Sequence, residues 1–149
     1  MLTQHRATTE TGASVFLSQA GVELNRAERY RVFVSLSVLD LEPFRDMLGN
    51  QFEQAVETLV NDVRGGIRAC DYVALMGPHC LAVLFPETSR QEAETAAKRT
   101  AELIRRRVSE LSGEAISETI PVEIASYPDT AGAKALGEFL RELTDKSQN

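Results

Sequence analysis

The apolar residues of this chain follow two patterns in alternating segments: the spacing of helices and the short runs of strands. The spacing typical of helices predicts a lead-in helix and three further helices, at residues 15–29, 55–63, 93–108 and 133–143. Runs rich in apolar and β-branched residues predict four strands, at residues 32–39, 70–76, 80–85 and 119–125. The order is therefore a helix, then βαββαβ, then a final helix. It predicts an α+β fold with a mixed sheet and helices packed on one face of that sheet.

Turn and cap residues lie at the ends of the predicted helices and strands. The segment Gly77-Pro78-His79 separates two short apolar runs, which indicates a β-hairpin. Ser89 and Glu92 have the spacing of a capping box, which satisfies free N–H groups where a helix begins. Gly65-Gly66 and Gly113 suit helix ends, because glycine accepts the left-handed conformation.

The chain is expected to hold one domain. Residues 1–14 are mostly small and polar and lack a clear period, which predicts a flexible leader. Residues 15–149 contain no internal repeat and no linker, so they are predicted to form a single domain. A chain of 149 residues is long enough to bury a core.

Charge and composition exclude several classes of function. The net charge of -6 argues against unspecific binding to nucleic acid or to an anionic membrane. No segment approaches the roughly 18 apolar residues that span a bilayer, and no basic region precedes an apolar run as in a signal peptide. Cys70 and Cys80 form no CxxC motif. We therefore expect a cytoplasmic protein with reduced thiols and no membrane insertion.

Several phrases of the sequence, in their order and spacing, resemble GGDEF domains. They are residues 25–29, the strand end at residues 40–45, the hairpin at residues 71–81, residues 85–88, residues 96–99 and residues 124–128. Gly77 falls at the first glycine of the family's signature hairpin. The resemblance covers roughly residues 17–145. It implies the family's nucleotidyl-cyclase fold, a ferredoxin-like βαββαβ core, and a role in bacterial signalling.

The same resemblance implies a degenerate domain with no catalytic residues. Asp40 stands at the first-strand metal position, but the acidic third residue of the signature corresponds to His79 and the glutamate after it to Cys80. Pro78 replaces the second glycine and cannot reproduce a glycine turn. The asparagine that reads guanine falls at Leu48. We therefore expect no cyclase activity, no cofactor and no bound metal, with Asp40 a vestigial metal position.

A zinc site built from Asp40, His79 and Cys80 is the alternative use of these residues. Their side chains are of permissible types for zinc. His79 and Cys80 are adjacent, however, and neighbouring residues on a strand point to opposite faces. The sequence therefore favours an exposed hairpin residue at His79 and a core residue at Cys80.

Three residues match the product-binding site of many GGDEF cyclases, whose motif is Arg-x-x-Asp. Arg68 and Asp71 form that motif at the family's spacing from Gly77, and Arg99 falls at the position of a further arginine. An arginine fork can donate two hydrogen bonds to guanine, and a carboxylate can accept from it. The resemblance implies a receptor or regulatory module that binds cyclic di-GMP through Arg68, Asp71 and Arg99.

Structural roles for these residues stay open alongside the binding role. Asp71 can cap or bridge at the start of a strand, Arg68 can be a solvated loop charge, and Arg99 can pair with Glu102 or Thr95 on its own helix. The alternative function is a protein–protein interaction or dimerisation domain that binds no nucleotide. A protein partner or a second copy of the chain is expected under either hypothesis.

Overall fold

The structure, a computed structural model, describes the backbone of residues 2–117, 119–128 and 135–147, and the side chains of residues 12–117, 119–128 and 135–145. The helices are α1 (Leu2–Tyr30), α2 (Arg45–Leu48), α3 (Phe52–Gly66), α4 (Arg90–Ser112) and α5 (Leu136–Ser147). The strands are β1 (Val34–Asp40), β2 (Tyr72–Met76), β3 (Cys80–Pro86) and β4 (Val122–Tyr127). Two short 3-10 turns, Glu42–Phe44 and Gly49–Gln51, flank α2.

The four strands form one sheet in the order β2-β3-β1-β4, which confirms the βαββαβ core. All three strand pairs are antiparallel, so the sheet is not mixed as predicted. The reason is the position of β3, which lies between β1 and β2 and runs opposite to both. The one parallel pairing within the described ranges is an isolated bridge between Ser126 and Ala135.

Helices cover both faces of the sheet, and the prediction of a single covered face was wrong. On one face Leu39 and Phe85 pack with side chains of α3 and α4 in one buried cluster. On the other face Leu36 and Leu84 pack with Phe16 of α1 and with side chains of α5. Because both faces are covered, β3 is buried along its whole length, which explains its uninterrupted apolar sequence.

Several element bounds differ from the sequence prediction. The lead-in helix α1 begins at Leu2, so it includes most of the stretch predicted as a flexible leader. The last strand begins at Val122 and ends at Tyr127, a shift of two to three residues along the chain. The final helix is described from Leu136, and its predicted start at residue 133 lies outside the described residues. No helix in the described ranges combines the length and apolarity needed to cross a bilayer.

Turn and cap chemistry predicted the boundaries of α4 correctly. The Ser89 side chain accepts a hydrogen bond from the Glu92 N–H at 3.3 Å, and the Glu92 carboxylate accepts from the Ser89 N–H at 2.9 Å. Both bonds of the predicted capping box are therefore present. At the other end Gly113 adopts a φ of 75°, the left-handed conformation that ends the helix.

Two serines of β1 are fully buried on the face that carries α3 and α4. The Ser35 hydroxyl donates to the Thr88 carbonyl at 2.8 Å and lies 2.8 Å from the Ser126 hydroxyl. The Ser37 hydroxyl is also buried, but no hydrogen-bond partner for it lies in the described part of the chain. A buried hydroxyl without a partner costs about 1–3 kcal/mol. Ser37 is therefore a locally unfavourable residue within an otherwise satisfied strand.

This contrast between the two serines gives a prediction about stability. Ser37→Ala is expected to raise the free energy of unfolding by up to about 1 kcal/mol, because it removes a hydroxyl that lacks a partner. Ser35→Ala, the matched control on the same strand and face, is expected to lower it by about 1 kcal/mol through lost hydrogen bonds. Urea denaturation of both variants measures the difference. Equal destabilisation by the two substitutions would contradict the assignment.

Candidate functional site

The turn between α3 and β2 folds around the Asp71 side chain. The Asp71 N–H donates to the Arg68 carbonyl at 3.0 Å, and the Arg68 N–H donates to Asp71 Oδ2 at 2.9 Å. The Arg68 guanidinium also reaches this carboxylate, with Nη2 2.8 Å from Oδ1 and Nε 3.2 Å from both oxygens. Backbone and side-chain bonds thus hold the two residues in one geometry.

Arg68 extends this turn to the end of β3. Its Nη2 donates to the Pro86 carbonyl at 3.1 Å and to the Thr88 hydroxyl at 2.6 Å. The hydrogen bonds to Asp71 raise the pKa of Arg68 above its ordinary value, and desolvation by burial opposes this effect. Arg68 is therefore a fixed cation that joins the start of the β2–β3 hairpin to its end.

Exposure differs sharply between the two partners. The Arg68 side chain is 54% exposed, whereas the Asp71 side chain is only 3% exposed. Among the structural roles considered from the sequence, the bridge by Asp71 at a strand start is the one observed. Arg68 is not simply a solvated loop charge, because its Nη2 is bonded to Asp71, Pro86 and Thr88.

Arg68, Asp71 and Arg99 all line one cavity of about 440 Å³ between the turn and α4. This volume lies within the roughly 300–1,000 Å³ that is typical of small-molecule sites. Thr88 and Glu92 contribute further polar groups. The apolar part of the wall comes from α3, the residue after it, β3 and α4, and consists of Val63, Ile67, Phe85, Ala96 and Leu103. The structure thus brings the three predicted residues to one concave surface.

Arg99 differs from Arg68 because its charge is not engaged. It is exposed on α4 and forms no ion pair within the described residues. The two partners considered for it have other bonds: Glu102 lies 3.3 Å from Arg105, and the Thr95 hydroxyl donates to the Gln91 carbonyl. Arg99 is therefore a cation at the cavity wall with hydrogen-bond donors available to a ligand.

The cavity wall offers hydrogen-bond acceptors as well as donors. Glu92 carries a carboxylate whose pKa is lowered, first by the hydrogen bond from the Ser89 backbone and then by other groups that include Arg68. Two arginines and two carboxylates line the cavity, so their formal charges cancel. Such a wall suits a ligand with both donor and acceptor groups better than a simple anion. The sequence indicated Glu92 only as a helix cap and gave no signal for Thr88.

Known structures share this arrangement of helices and strands. The GGDEF domain of FimX from Pseudomonas aeruginosa superposes with a TM-score of 0.66 at 20% identity, over 91% of this chain and 87% of that chain. The GGDEF domain of DgcB from Caulobacter crescentus, solved in complex with c-di-GMP, gives 0.57 at 18% identity, over 91% and 79%. This chain has the GGDEF-domain fold.

The diguanylate cyclase SiaD from Pseudomonas aeruginosa, solved in complex with its activator SiaC, also has this fold. It superposes with a TM-score of 0.66 at 18% identity, over 91% of this chain and 52% of the SiaD chain. The chain therefore spans about half the length of SiaD. No protein-family model matches the sequence, and no curated protein matches it. At these identities the likeness establishes the fold.

The position that the sequence resemblance assigns to guanine reading is part of the core in this GGDEF-like domain. Leu48 is 5% exposed and belongs to the cluster that includes Phe44 and Phe52. Next to it, Arg45 forms two hydrogen bonds with Glu42, at 2.8 and 2.9 Å, and lies over the Phe52 ring at 4.5 Å. The carboxyl pKa of Glu42 is lowered mainly by this bond to Arg45. The side chains of Arg45 and Glu42, close to Leu48 in the sequence, are thus bonded to each other.

The signature hairpin of this GGDEF-like domain brings Asp40, His79 and Cys80 together, contrary to the sequence argument. One ligand atom from each residue lies within 4.8 Å of the others. His79 does not lie in a strand: β3 begins at Cys80, so His79 belongs to the turn and the strand alternation does not apply to it. Its Nδ1 lies 2.8 Å from Asp40 Oδ1 and 3.7 Å from the Cys80 sulfur.

Proposed function

We propose that this chain is a non-catalytic GGDEF-like domain that binds cyclic di-GMP in the cavity lined by Arg68, Asp71 and Arg99. In this role it acts as a receptor or regulatory module of a cytoplasmic signalling pathway. The observation that carries the proposal is the pairing of a fixed arginine with an unengaged one across a single cavity of about 440 Å³. The fold and the Arg-x-x-Asp spacing support the same ligand.

The contacts of Arg68 define how it would meet the ligand. Its Nε and Nη2 are bonded to protein atoms, while no bond from Nη1 lies in the described part of the chain. Nη1 therefore provides the donor for a guanine oxygen or nitrogen. The burial of Asp71 changes the role expected from the sequence. Its carboxylate orients the Arg68 fork, rather than accepting hydrogen bonds from guanine itself.

Arg99 and Glu92 complete the recognition of a guanine dinucleotide. Arg99 can neutralise a phosphate or stack on a base, because its guanidinium is exposed and planar. Glu92 adds an acceptor on the same side of α4. A base with donor and acceptor edges, joined to an anionic phosphate, matches the donors of Arg68 and Arg99 and the acceptor of Glu92.

Calorimetric titration with cyclic di-GMP tests the proposal. Arg99→Ala is expected to weaken binding about tenfold, since charge-assisted hydrogen bonds contribute about 1.5–3 kcal/mol. The matched control is Arg106→Ala, seven residues further along the same helix and outside this cavity, which should leave the affinity unchanged. Arg68→Lys should weaken binding because lysine has a single nitrogen, which cannot bond Asp71 and Thr88 and also present a separate donor to the ligand. Asp40→Ala should have no effect, because Asp40 lies at the other end of the hairpin.

Two results would overturn the proposal. Absence of heat and of a thermal shift at high micromolar ligand would favour the interaction or dimerisation domain. Binding that survives Arg99→Ala and fails in Asp40→Ala would place the ligand in the former catalytic position.

One surface feature favours the interaction domain as the second candidate. Val15 and Val22 are seven residues apart on α1, and both are more than half exposed. Two turns of a helix separate them, so they lie on the same side of α1. These two exposed apolar side chains suit contact with a protein partner or a second copy of the chain.

A further inference from the structure

We propose that Asp40, His79 and Cys80 form a binding site for a borderline transition-metal ion of the Zn²⁺ type at the turn of the β2–β3 hairpin. The proposal is independent of cyclic di-GMP binding, because these residues lie at the opposite end of the hairpin from Arg68. It also departs from the expectation, drawn from the sequence, that the chain holds no metal.

The separations of the ligand atoms approach those around a tetrahedral ion, and all three atoms lie within 4.8 Å of one another. Zinc lies about 2.0 Å from nitrogen and about 2.3 Å from sulfur, so a tetrahedral ion separates these two ligands by roughly 3.5 Å. His79 Nδ1 and Cys80 Sγ are already 3.7 Å apart. His79 Nδ1 and Asp40 Oδ1 are 2.8 Å apart and share a hydrogen bond, so they must separate by about half an ångström on metal binding.

The chemistry of the three ligands selects the kind of metal. A thiolate, a carboxylate and an imidazole together balance the charge of a divalent ion, with the thiol proton released to solvent. Sulfur and imidazole nitrogen suit Zn²⁺ and Co²⁺, whereas Mg²⁺ requires oxygen ligands in octahedral geometry. The ligand set therefore favours an ion different from the one that a nucleotidyl cyclase uses.

The backbone holds the three residues in place before any ion arrives. Asp40 and Cys80 are directly opposite each other in the antiparallel pairing of β1 with β3. The Leu41 N–H donates to the His79 carbonyl at 2.8 Å, and the Asp40 N–H donates to the Pro121 carbonyl at 3.1 Å. Metal binding thus needs side-chain adjustment and no rearrangement of the sheet.

An outer carboxylate and an accessible side complete the site. Glu42 Oε2 lies 3.7 Å from His79 Nε2, the nitrogen that faces away from Asp40. Histidines that bind metal through one nitrogen commonly direct the other toward a carboxylate. The Asp40 and His79 side chains are 41% and 30% exposed, whereas Cys80 is buried. An ion above the Cys80 sulfur therefore retains a fourth position that faces solvent.

Cobalt titration of the chelator-treated protein tests the site. Co²⁺ bound here should give the visible absorption of a tetrahedral ion together with a thiolate-to-cobalt charge-transfer band, and Zn²⁺ should abolish both by displacement. Cys80→Ser is expected to remove the charge-transfer band and to weaken binding more than tenfold. The matched control is Cys70→Ser, which alters the other cysteine, an exposed residue in the turn after α3, and should leave the spectrum unchanged.

A second variant tests the site even if Cys80→Ser does not fold. His79→Ala changes a partly exposed turn residue, so the fold should persist by circular dichroism while the affinity falls more than tenfold. Glu42→Ala should weaken binding by up to about 10–100-fold, the range for outer partners of metal ligands. Absence of cobalt uptake by the wild-type chain would overturn the proposal and leave the Asp40–His79 contact as a bond that fixes the hairpin. A charge-transfer band lost in Cys70→Ser and kept in Cys80→Ser would also overturn it.

Discussion

Incubation of this chain with GTP and Mg²⁺ is expected to give no cyclic di-GMP above a blank without enzyme. Asp40, at the family's metal position, already accepts hydrogen bonds from His79 and from the Glu42 N–H, at 2.8 and 3.0 Å. Leu48, at the guanine-reading position, is buried in the core. Loss of one charge-stabilising group commonly lowers the rate by about 10²–10³-fold, and the resemblance implies that several are replaced here. Nucleotide chromatography of the reaction mixture measures the result.

Restoring the hairpin alone is not expected to recover activity. In the double variant Pro78→Gly and His79→Glu the glycine and the carboxylate return, but the buried Leu48 still occupies the guanine-reading position. The matched control is an active diguanylate cyclase under the same conditions. Measurable product from the wild-type chain that disappears in Asp40→Ala would show that the chain is a cyclase. Product from the double variant alone would show that the nucleotide pocket is intact.

Asp71→Ala is expected to lower the free energy of unfolding by about 3 kcal/mol. The Asp71 carboxylate is almost fully buried and accepts hydrogen bonds from the Arg68 backbone and guanidinium. Hydrogen bonds to charged groups contribute about 1.5–3 kcal/mol each, and the substitution also leaves the fixed Arg68 without its partner. Chemical denaturation with urea measures this loss.

An exposed ion pair supplies the comparison for this measurement. Glu110 lies 3.4 Å from Arg107, but both side chains are substantially exposed, so Glu110→Ala should change stability by less than about 1 kcal/mol. If Asp71→Ala were as mild as Glu110→Ala, the Arg68–Asp71 pair would not organise the turn. The proposed orientation of Arg68 by Asp71 would then lose its basis.

Local chemistry made part of the fold predictable from the sequence. The capping box at Ser89 and the left-handed glycine at Gly113 depend on residues a few positions apart, and both were predicted correctly. The covering of both sheet faces was not predictable, because it depends on where α1 and α5 dock. The antiparallel sheet follows from the insertion of β3 between β1 and β2, which no local pattern encodes.

The candidate site was likewise predictable from the sequence only in part. The spacing of Arg68 and Asp71 and the family position of Arg99 predicted three residues that the structure brings to one cavity. That these residues bind cyclic di-GMP stays a prediction. The burial of Asp71 and the bond from Arg68 to Thr88 depend on the end of a different strand, so the sequence gave no indication of them. The Asp40–His79 contact likewise follows from the register of β1 against β3.

The bonds of Arg68 have a consequence for how the cavity is encoded. Arg68 is bonded to residues 18 and 20 positions further along, whereas β1 pairs with β4 across more than 80 positions. The entropy lost on closing a loop rises with its length, by about 0.6 kcal/mol for each doubling, so the shorter loop is the easier to close. Every residue that lines the cavity comes from one contiguous stretch, residues 63–103. A single contiguous segment of the chain therefore supplies every residue of the cavity wall, while β1 holds the β3 part of that wall in place by strand pairing.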